Sequence, residues 1–322
     1  MTQVYEIVQS VLFQFGLAFA LSPLVNTALK KWKALLQGRQ GPPYLQGYYD
    51  LLKYFRKETV VSDQTSALFL ATPVINFVCI GAVSLLIPTF VAPQVFAPIG
   101  GILVMVYLLG LARFFMAAAA LEPGGGFCSM GSSREMMIAT LIEPVLLLAL
   151  FTFAKLTNTQ QLLALPSALS SQGLFLYTPA YALAALALFV VSLAEMGRVP
   201  FDNPETHYEL TMIHEGMLLE YSGKPLGLMF WSAWTKQFLI LSLLANILFP
   251  FHMATSANIA ALALALLAFI GKLIAVGLII VIVETAIAKM RLFRVKEVLG
   301  ASLILAVLAL IFSVEQSGGL PK

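Results

Sequence analysis

The residues in this sequence that could carry protons are concentrated in one segment, residues 194–223. The segment holds six of the sixteen acidic residues in the chain and two of its three histidines. These residues are Glu195, Asp202, Glu205, Glu209, Glu215, Glu220, His207 and His214. Carboxylates and imidazoles at this density, beside apolar segments, are typical of proton-carrying sites and of docking surfaces. We therefore take the segment as the candidate functional site.

The spacing of these groups predicts two chemically different sides. Prolines at 200 and 204 interrupt any helix that continues from the preceding apolar run. If helix resumes there, Glu205 and Glu209 share one face, and Glu220 returns to that face three turns later. His207 and His214, seven apart, then fall on the other side. The spacing thus predicts an acid-lined side and a histidine side.

Three interpretations of this segment compete. A solvated loop is the simplest, but the interleaved apolar residues require burial (Leu210, Met212, Ile213, Met217, Leu218 and Leu219). A metal site at His207, His214 and an acid lacks the H-E-x-x-H or any comparable spacing, so we predict no metal. The third interpretation, which we favour, is a buried acidic funnel that carries protons or couples to a docked redox partner.

The rest of the chain is predicted to be a membrane scaffold. It has 322 residues, 60% hydrophobic and 11% charged, with a mean hydropathy of +0.90. Because a span needs about 20 apolar residues, the sequence predicts an all-α, polytopic membrane protein with about eight transmembrane helices in one domain, residues 1–322. The predicted spans are 4–29, 68–91, 98–121, 135–156, 179–197, 227–250, 258–283 and 299–315.

The lysines and arginines predict how the chain is oriented. They are concentrated in alternate loops, including the two long ones at about 30–66 and 198–226. By the positive-inside rule these loops are cytoplasmic, so both termini of this multi-pass chain are predicted to lie outside the cell membrane. The N-terminal residues lack a basic n-region, which favours a retained span over a signal peptide.

The first long loop is predicted to contain a turn followed by an interfacial helix. Arg39, Gly41 and Pro42 belong to a turn-forming stretch. Residues 44–58 then have amphipathic spacing, with an apolar face that comprises Tyr48, Leu51, Leu52 and Phe55. Such a helix lies at the bilayer surface on the cytoplasmic side. It is either an anchor or a wall over a site beneath it.

Ionisable residues inside the predicted spans are costly to bury, so each is a functional candidate. They are Arg113, Glu143, Glu195, Lys236, Lys272 and Glu284. The alternative is internal ion pairing that holds the bundle together. For the deep Glu143 and Lys272 we favour a proton path. Glu195 and Arg198 are three residues apart and are predicted to pair. Residues 132–135 have the capping-box pattern that would start span four.

Several motifs resemble one known family. E-x-x-R-x-P-F-D begins at Glu195, E-Y-S-G begins at Glu220, and R-x-G-P begins at Arg39. Together they resemble the core membrane subunit of respiratory complex I, known as subunit 1, and its homologues in membrane-bound [NiFe] hydrogenases. Residues 206–215, and residues 131–135 with Glu143 and Pro144, resemble the Ech and formate hydrogenlyase type of that subunit.

The resemblance implies a membrane-anchoring and energy-coupling subunit that is not catalytic by itself. It would link cytoplasmic electron transfer to proton or sodium translocation through a buried acidic network. Expected partners are hydrogenase large and small subunits, iron–sulfur subunits and antiporter-like membrane subunits, with no nucleic acid. Iron–sulfur clusters and the nickel–iron centre would belong to those partners, since this chain has two cysteines and no C-x-x-C. Proton-path or coupling roles are expected for Glu143, Glu195, Arg198, Asp202, Glu205, Glu209, Glu215, Glu220 and Lys272. Docking or cavity-wall roles are expected for Arg39, Gly41, Pro42, Arg134, Glu135, His207 and His214.

Two alternative functions remain open from the sequence. One is the quinone-binding subunit 1 of a complex I, with quinone as the ligand. The other is a stand-alone ion-coupled transporter, against which stands the lack of an evident inverted repeat.

Overall fold

A computed structural model of the chain describes residues 2–63, 65–89, 101–171, 173, 178–202, 212–251 and 259–319, with the backbone alone for 2–13, 259–262, 293 and 316–319. Within these ranges the chain is all-α, with one isolated β-bridge between Gly101 and Gln161. The helices are α1 (Thr2–Leu36), α2 (Gln46–Arg56), α3 (Ala67–Leu86), α4 (Ile102–Leu121), α5 (Gly126–Thr157), α6 (Leu165–Ser171), α7 (Pro179–Glu195), α8 (Gly223–Leu248), α9 (Ile259–Ala286) and α10 (Leu292–Gly319). A 3₁₀ turn spans Glu215–Leu218.

The long apolar helices support a multi-pass membrane protein. Each of the eight predicted spans overlaps one helix, but among the described residues only six helices are long and apolar enough to cross a bilayer. These six are α3, α4, α5, α8, α9 and α10. Helix α7 is apolar but has only 17 residues. By length and composition, the structure therefore supports six of the eight predicted spans and does not show all eight.

Helix α5 is central in the bundle and contacts α4, α7 and α10. On the other side of the bundle, α8 contacts α1 and α3. Its core contains fully buried apolar side chains such as Leu150, Leu188 and Leu244. Large apolar side chains also cover the outside, where Tyr107 and Leu267 are each 68% exposed. An apolar outside is what a lipid-facing surface requires.

Helix α5 begins earlier than the capping-box pattern predicted. It starts at Gly126, after a turn in which Gly124 has a φ of +68°. Ser132 is therefore buried inside the helix, where its hydroxyl donates to the Ala117 carbonyl at 3.0 Å. The predicted start, at residues 132–135, is too late because the turn that precedes the helix lies at Gly124 and Gly125. Arg134 and Glu135 consequently project from a continuous helix.

The helix predicted in the first long loop is confirmed over a slightly shorter range, Gln46–Arg56. Its inner side packs closely on α1, since a Cβ at Gly47 would lie 2.9 Å from the Pro23 carbonyl oxygen. The Tyr54 ring stacks on Phe230 of α8, with 5.4 Å between ring centroids. One detail of the predicted apolar face is wrong: Leu52 points outward and is 54% exposed. These contacts place α2 beside the N-terminal part of α8.

Candidate functional site

The buried charges form two clusters at the ends of α7 and α9, close to the cytoplasmic loops of the predicted orientation. The first, the Arg113 cluster, comprises Arg113 on α4, Glu135 and Glu143 on α5, Glu195 on α7 and Lys236 on α8. Arg113 donates to Glu195 and, at 2.6 Å, to Glu143; its Nε lies 3.4 Å from Glu135. Lys236 Nζ lies 3.5 Å from the other oxygen of Glu195. Four helices thus converge on one guanidinium and one buried carboxylate.

The charges in this cluster do not balance. Its contacts join three carboxylates to two cations, which leaves one excess negative charge when all five groups are ionised. One added proton would therefore make the set neutral. Glu143 is the accessible member: 42% of its side chain is exposed, against 2% for Glu195.

The second group, the Arg198 cluster, comprises Lys33, Arg198 and Glu284, together with the amides of Asn26 and Gln237. Arg198 Nη1 donates to Glu284 at 3.1 Å, and Lys33 Nζ lies 3.7 Å from the other Glu284 oxygen. Arg198 Nη2 lies 3.4 Å from both amide oxygens. The predicted pair of Glu195 with Arg198 is therefore wrong. Helix α7 ends at Glu195 and the chain turns at Gly197, with a φ of +61°, which directs Arg198 elsewhere.

Neighbouring residues on α8 connect the two clusters. Lys236 contacts Glu195, whereas the Gln237 amide accepts from Arg198 and donates to the Met196 carbonyl at 3.1 Å. Both residues lie beside the turn after α7. A single turn of α8 therefore touches the buried acid of one cluster and the arginine of the other.

Asp202 and His214 lie next to this junction. Asp202 accepts from Lys289 Nζ at 2.9 Å and from the His214 backbone N–H at 3.3 Å. Burial and Lys236 lower the pKa of the His214 side chain, and Glu135 and Asp202 offset only part of that effect. The imidazole is therefore mainly neutral near pH 7, a state in which it can both donate and accept a hydrogen bond.

Three cavities share His214 as a wall. The largest, about 410 Å³, is lined by both charged and aromatic side chains, including Lys33, Tyr54, Arg198, Asp202, Glu215, Trp234 and Glu284. A second, of about 30 Å³, lies against Glu135, Glu195 and Lys236, and a third, of about 20 Å³, against Arg113. A water needs roughly 10–15 Å³ and two or more polar partners. Each small cavity satisfies both conditions and can hold water, and its His214 wall is shared with the large cavity.

The tyrosine in the large cavity is held in its neutral form. Burial, followed by the nearby Asp50 and Glu215 carboxylates, raises the pKa of Tyr54. Its ring also stacks on Phe230, which fixes its orientation. Helix α2 therefore supplies a wall of the cavity, as one of the two interpretations of this helix predicted.

The remaining predicted site residues lie elsewhere. Glu220 is exposed beside Gly125, and Lys272 forms a separate contact with Asn246 on α8, 3.4 Å away. Arg39 is exposed in the connection between α1 and α2, where it contacts Gln37. Gly41 and Pro42 lie in the same connection, and Arg134 faces a different cavity. Glu205, His207 and Glu209 fall outside the described residues. Among the described residues no group of three or more His, Cys, Asp or Glu could hold a metal ion.

Sequence reasoning missed the uncharged members of the Arg198 cluster. Asn26 and Gln237 are amides inside or beside apolar runs, and Lys33 was counted only as a loop charge. The signal that could have revealed them is the polar pair Lys236 and Gln237 in an otherwise apolar helix. Because adjacent residues of a helix point in different directions, such a pair contacts two different neighbours. The partners themselves are distant in sequence: Gln237 and Asn26 are each far from Arg198.

Comparison with known proteins defines the class. A family model described as NADH dehydrogenase matches residues 8–314, so the chain belongs to that family. It is 30% identical to formate hydrogenlyase subunit 4 of Escherichia coli (strain K12), over 91% of this chain and 92% of that protein. It is also 30% identical to hydrogenase-4 component C of the same organism, over 94% of each chain.

Other relatives match over less of their length or at lower identity. The chain is 30% identical to NADH-ubiquinone oxidoreductase chain 1 of Oncorhynchus mykiss, over 68% of each. A protein in the solved structure of the membrane-bound sulfane sulfur reductase, an archaeal respiratory membrane complex, superposes with a TM-score of 0.77. That alignment covers 95% of this chain and 99% of the other at 20% identity. The predicted resemblance, to complex I subunit 1 and its hydrogenase homologues, is confirmed.

Proposed function

We propose that this chain is the membrane-anchoring and energy-coupling subunit of a membrane-bound [NiFe] hydrogenase complex. Two relatives that match over more than nine-tenths of their length, both 30% identical, are components of formate hydrogenlyase and hydrogenase-4. By this proposal the chain has no catalytic centre of its own. It is partnered by hydrogenase large and small subunits, iron–sulfur subunits and antiporter-like membrane subunits, which hold the metal centres.

The observation that carries the coupling role is the polar connection from the large cavity to the Arg113 cluster. His214 and Asp202 line both the large cavity and the small one beside Glu195. A proton that reaches Glu195 neutralises the excess charge of the cluster and weakens the hold of Arg113 on its three acids. Redox chemistry near the large cavity would drive that protonation, and Glu143 would pass the proton or its charge onward.

Glu143 also supports the presence of a membrane partner. Its side chain is 42% exposed near the middle of the apolar part of α5. Exposed carboxylate in hydrocarbon is unfavourable, so this side is expected to face another protein or a water-filled path. An antiporter-like subunit seated there would receive the charge from Glu143.

The membrane arrangement is part of the proposal. We infer eight spans by adding α1 and the short α7 to the six helices that meet the length criterion, with both termini outside the cell membrane. Glu205 and Glu209 would extend the acidic funnel, as the family motif implies.

Lys272 and Asn246 would form a separate relay on α9 and α8, and Lys272→Gln should lower proton translocation less than Glu195→Gln does. An equal loss would place Lys272 in the main path.

The alternative is the quinone-binding subunit of a complex I. The 410 Å³ cavity has the size of a small-molecule site, and chain 1 of an NADH-ubiquinone oxidoreductase is a relative. However, the lining is rich in charged groups, whereas ligand pockets for apolar molecules are mainly apolar. This composition favours water and protons over a quinone ring.

Purification of the tagged chain from its native membrane tests the proposal. We expect a multi-subunit complex that contains nickel and iron and reduces protons or oxidises hydrogen with an artificial dye. Iron and flavin without nickel, with quinone reductase activity, would move the chain to the complex I alternative. Recovery of the chain alone, with ion-driven transport in liposomes, would contradict both.

A further inference from the structure

A fourth cavity, which contains no member of the two charge clusters in its lining, lies between the turn that follows α7 and the link between α9 and α10. It has a volume of about 310 Å³. Its charged walls are Arg134 on α5, Lys289 and Arg291, and its apolar walls include Phe201, Met290 and Leu292. Three cations beside apolar walls form a site suited to an anion that carries an apolar group.

Two of these cations lie in a short basic segment. Residues 289–296 hold four of the nineteen lysines and arginines, namely Lys289, Arg291, Arg294 and Lys296, and Arg134 adds a charge from α5. Asp202 pairs with Lys289, whereas Arg134 donates to a backbone carbonyl and a thioether. The guanidinium of Arg134 therefore keeps its positive charge available at the cavity, and the exposed Arg291 adds a second.

The walls are held in place by contacts across the fold. Arg134 Nη1 donates to the Met212 carbonyl at 3.2 Å. The Met290 backbone N–H donates to the Pro200 carbonyl at 2.9 Å, which ties the α9–α10 link to the turn after α7. Arg291 in that link is exposed. The cavity therefore has a fixed frame and one accessible guanidinium.

The position of the link matches the depth of lipid headgroups. Helix α9 ends at Ala286 and α10 begins at Leu292, and both helices continue as apolar spans. Ile287, at the same level, is 41% exposed. Basic pockets between spans on the cytoplasmic side are suited to anionic headgroups, while the apolar walls accept the start of an acyl chain.

We propose that this cavity binds the phosphodiester headgroup of an anionic phospholipid from the cytoplasmic leaflet. Arg291 and Arg134 contact the phosphate, and Phe201 and Leu292 contact the glycerol and upper acyl carbons. Lys289 is shared between the headgroup and Asp202. A bound lipid would therefore also stabilise the turn that carries Asp202, next to the proton connection.

The proposal is tested on the full-length chain, purified with its native partners, by native mass spectrometry during titration with phosphatidylglycerol or phosphatidylcholine. We expect one phosphatidylglycerol to bind preferentially and to be retained. Arg291→Gln should weaken it about fivefold, the factor that about 1 kcal/mol per basic residue represents. Inorganic phosphate at millimolar concentration should not displace the lipid, because it makes no apolar contacts.

The matched control is Arg294→Gln, which removes the same charge three residues further along, from an exposed position outside the cavity. We expect this variant to bind phosphatidylglycerol like the wild type. Equal weakening by the two substitutions would show a diffuse surface attraction and overturn the site. Equal binding of the two lipids by the wild-type protein, or displacement by phosphate, would overturn it as well.

Discussion

The Arg113 cluster and the Arg198 cluster lie on either side of Gln237 and Lys236, and their ion pairs differ. Among the described residues, the first joins three carboxylates to two cations, and the second joins one carboxylate to two cations. The first borders two water-sized cavities, whereas the second borders the cavity of about 410 Å³. That larger cavity is lined by four carboxylates and three cations, so the charges beside it are mixed, whereas the contacts of the Arg113 cluster have an excess of acid, which favours proton uptake.

Under the proposed function, the two clusters have different roles. The large cavity beside the Arg198 cluster is lined by both bases and acids, namely Lys30, Lys33, Arg198, Asp50, Asp202, Glu215 and Glu284. Such a mixed lining suits water, through which protons would enter. Beyond His214, the Arg113 cluster would accept a proton on one of its carboxylates, and Glu143 would pass it onward.

The largest effect is expected when Arg113 is replaced. Arg113→Met leaves Glu135, Glu143 and Glu195 without the guanidinium that holds them together. Removal of one partner of a buried ion pair costs about 3–5 kcal/mol, so we expect loss of the assembled protein, measured as complex yield and thermal unfolding in detergent. Arg113→Lys should recover part of the yield. Wild-type yield and stability in Arg113→Met would show that the cluster does not hold the helices.

A smaller effect on stability is expected at the other cluster. Glu284→Gln removes the carboxylate shared by Lys33 and Arg198, but the large cavity lets water solvate both cations. We expect a loss of about 1–3 kcal/mol in thermal or denaturant unfolding. The asymmetry between the clusters would be contradicted if Glu284→Gln were as destabilising as Arg113→Met. The exposed Glu220→Gln is the matched control and should unfold like the wild type.

The smallest effect is the pH dependence that comes from His214. The pKa of its side chain is lowered in the folded protein, so the unfolded chain binds the proton more readily. The contribution to stability is therefore complete above the unfolded pKa of about 6.5 and is lost as the pH falls through the folded value. His214→Gln should flatten the stability profile between about pH 5 and pH 7. An unchanged slope in the variant would exclude His214 as its source.

The sequence was sufficient to predict helices and charged residues but not their partners. Each predicted apolar run overlaps a helix, because a bilayer-length run has few other structures open to it. Glu195 and Arg198 were predicted to pair from their spacing alone, and the turn at Gly197 separates them. Arg113 lies 82 residues from Glu195, and only the packing of α4 and α7 on α5 brings them together.

The measurement that tests the central claim most directly is proton translocation by inside-out membrane vesicles that carry Glu195→Gln, measured together with dye-linked hydrogenase activity. Gln keeps the shape of the side chain but removes the charge that gives the Arg113 cluster its excess of acid. We predict that the complex assembles and keeps its dye-linked activity while translocation is lost, and that Glu220→Gln retains both. Full translocation by the assembled Glu195→Gln complex would contradict the proposal that this cluster carries the proton.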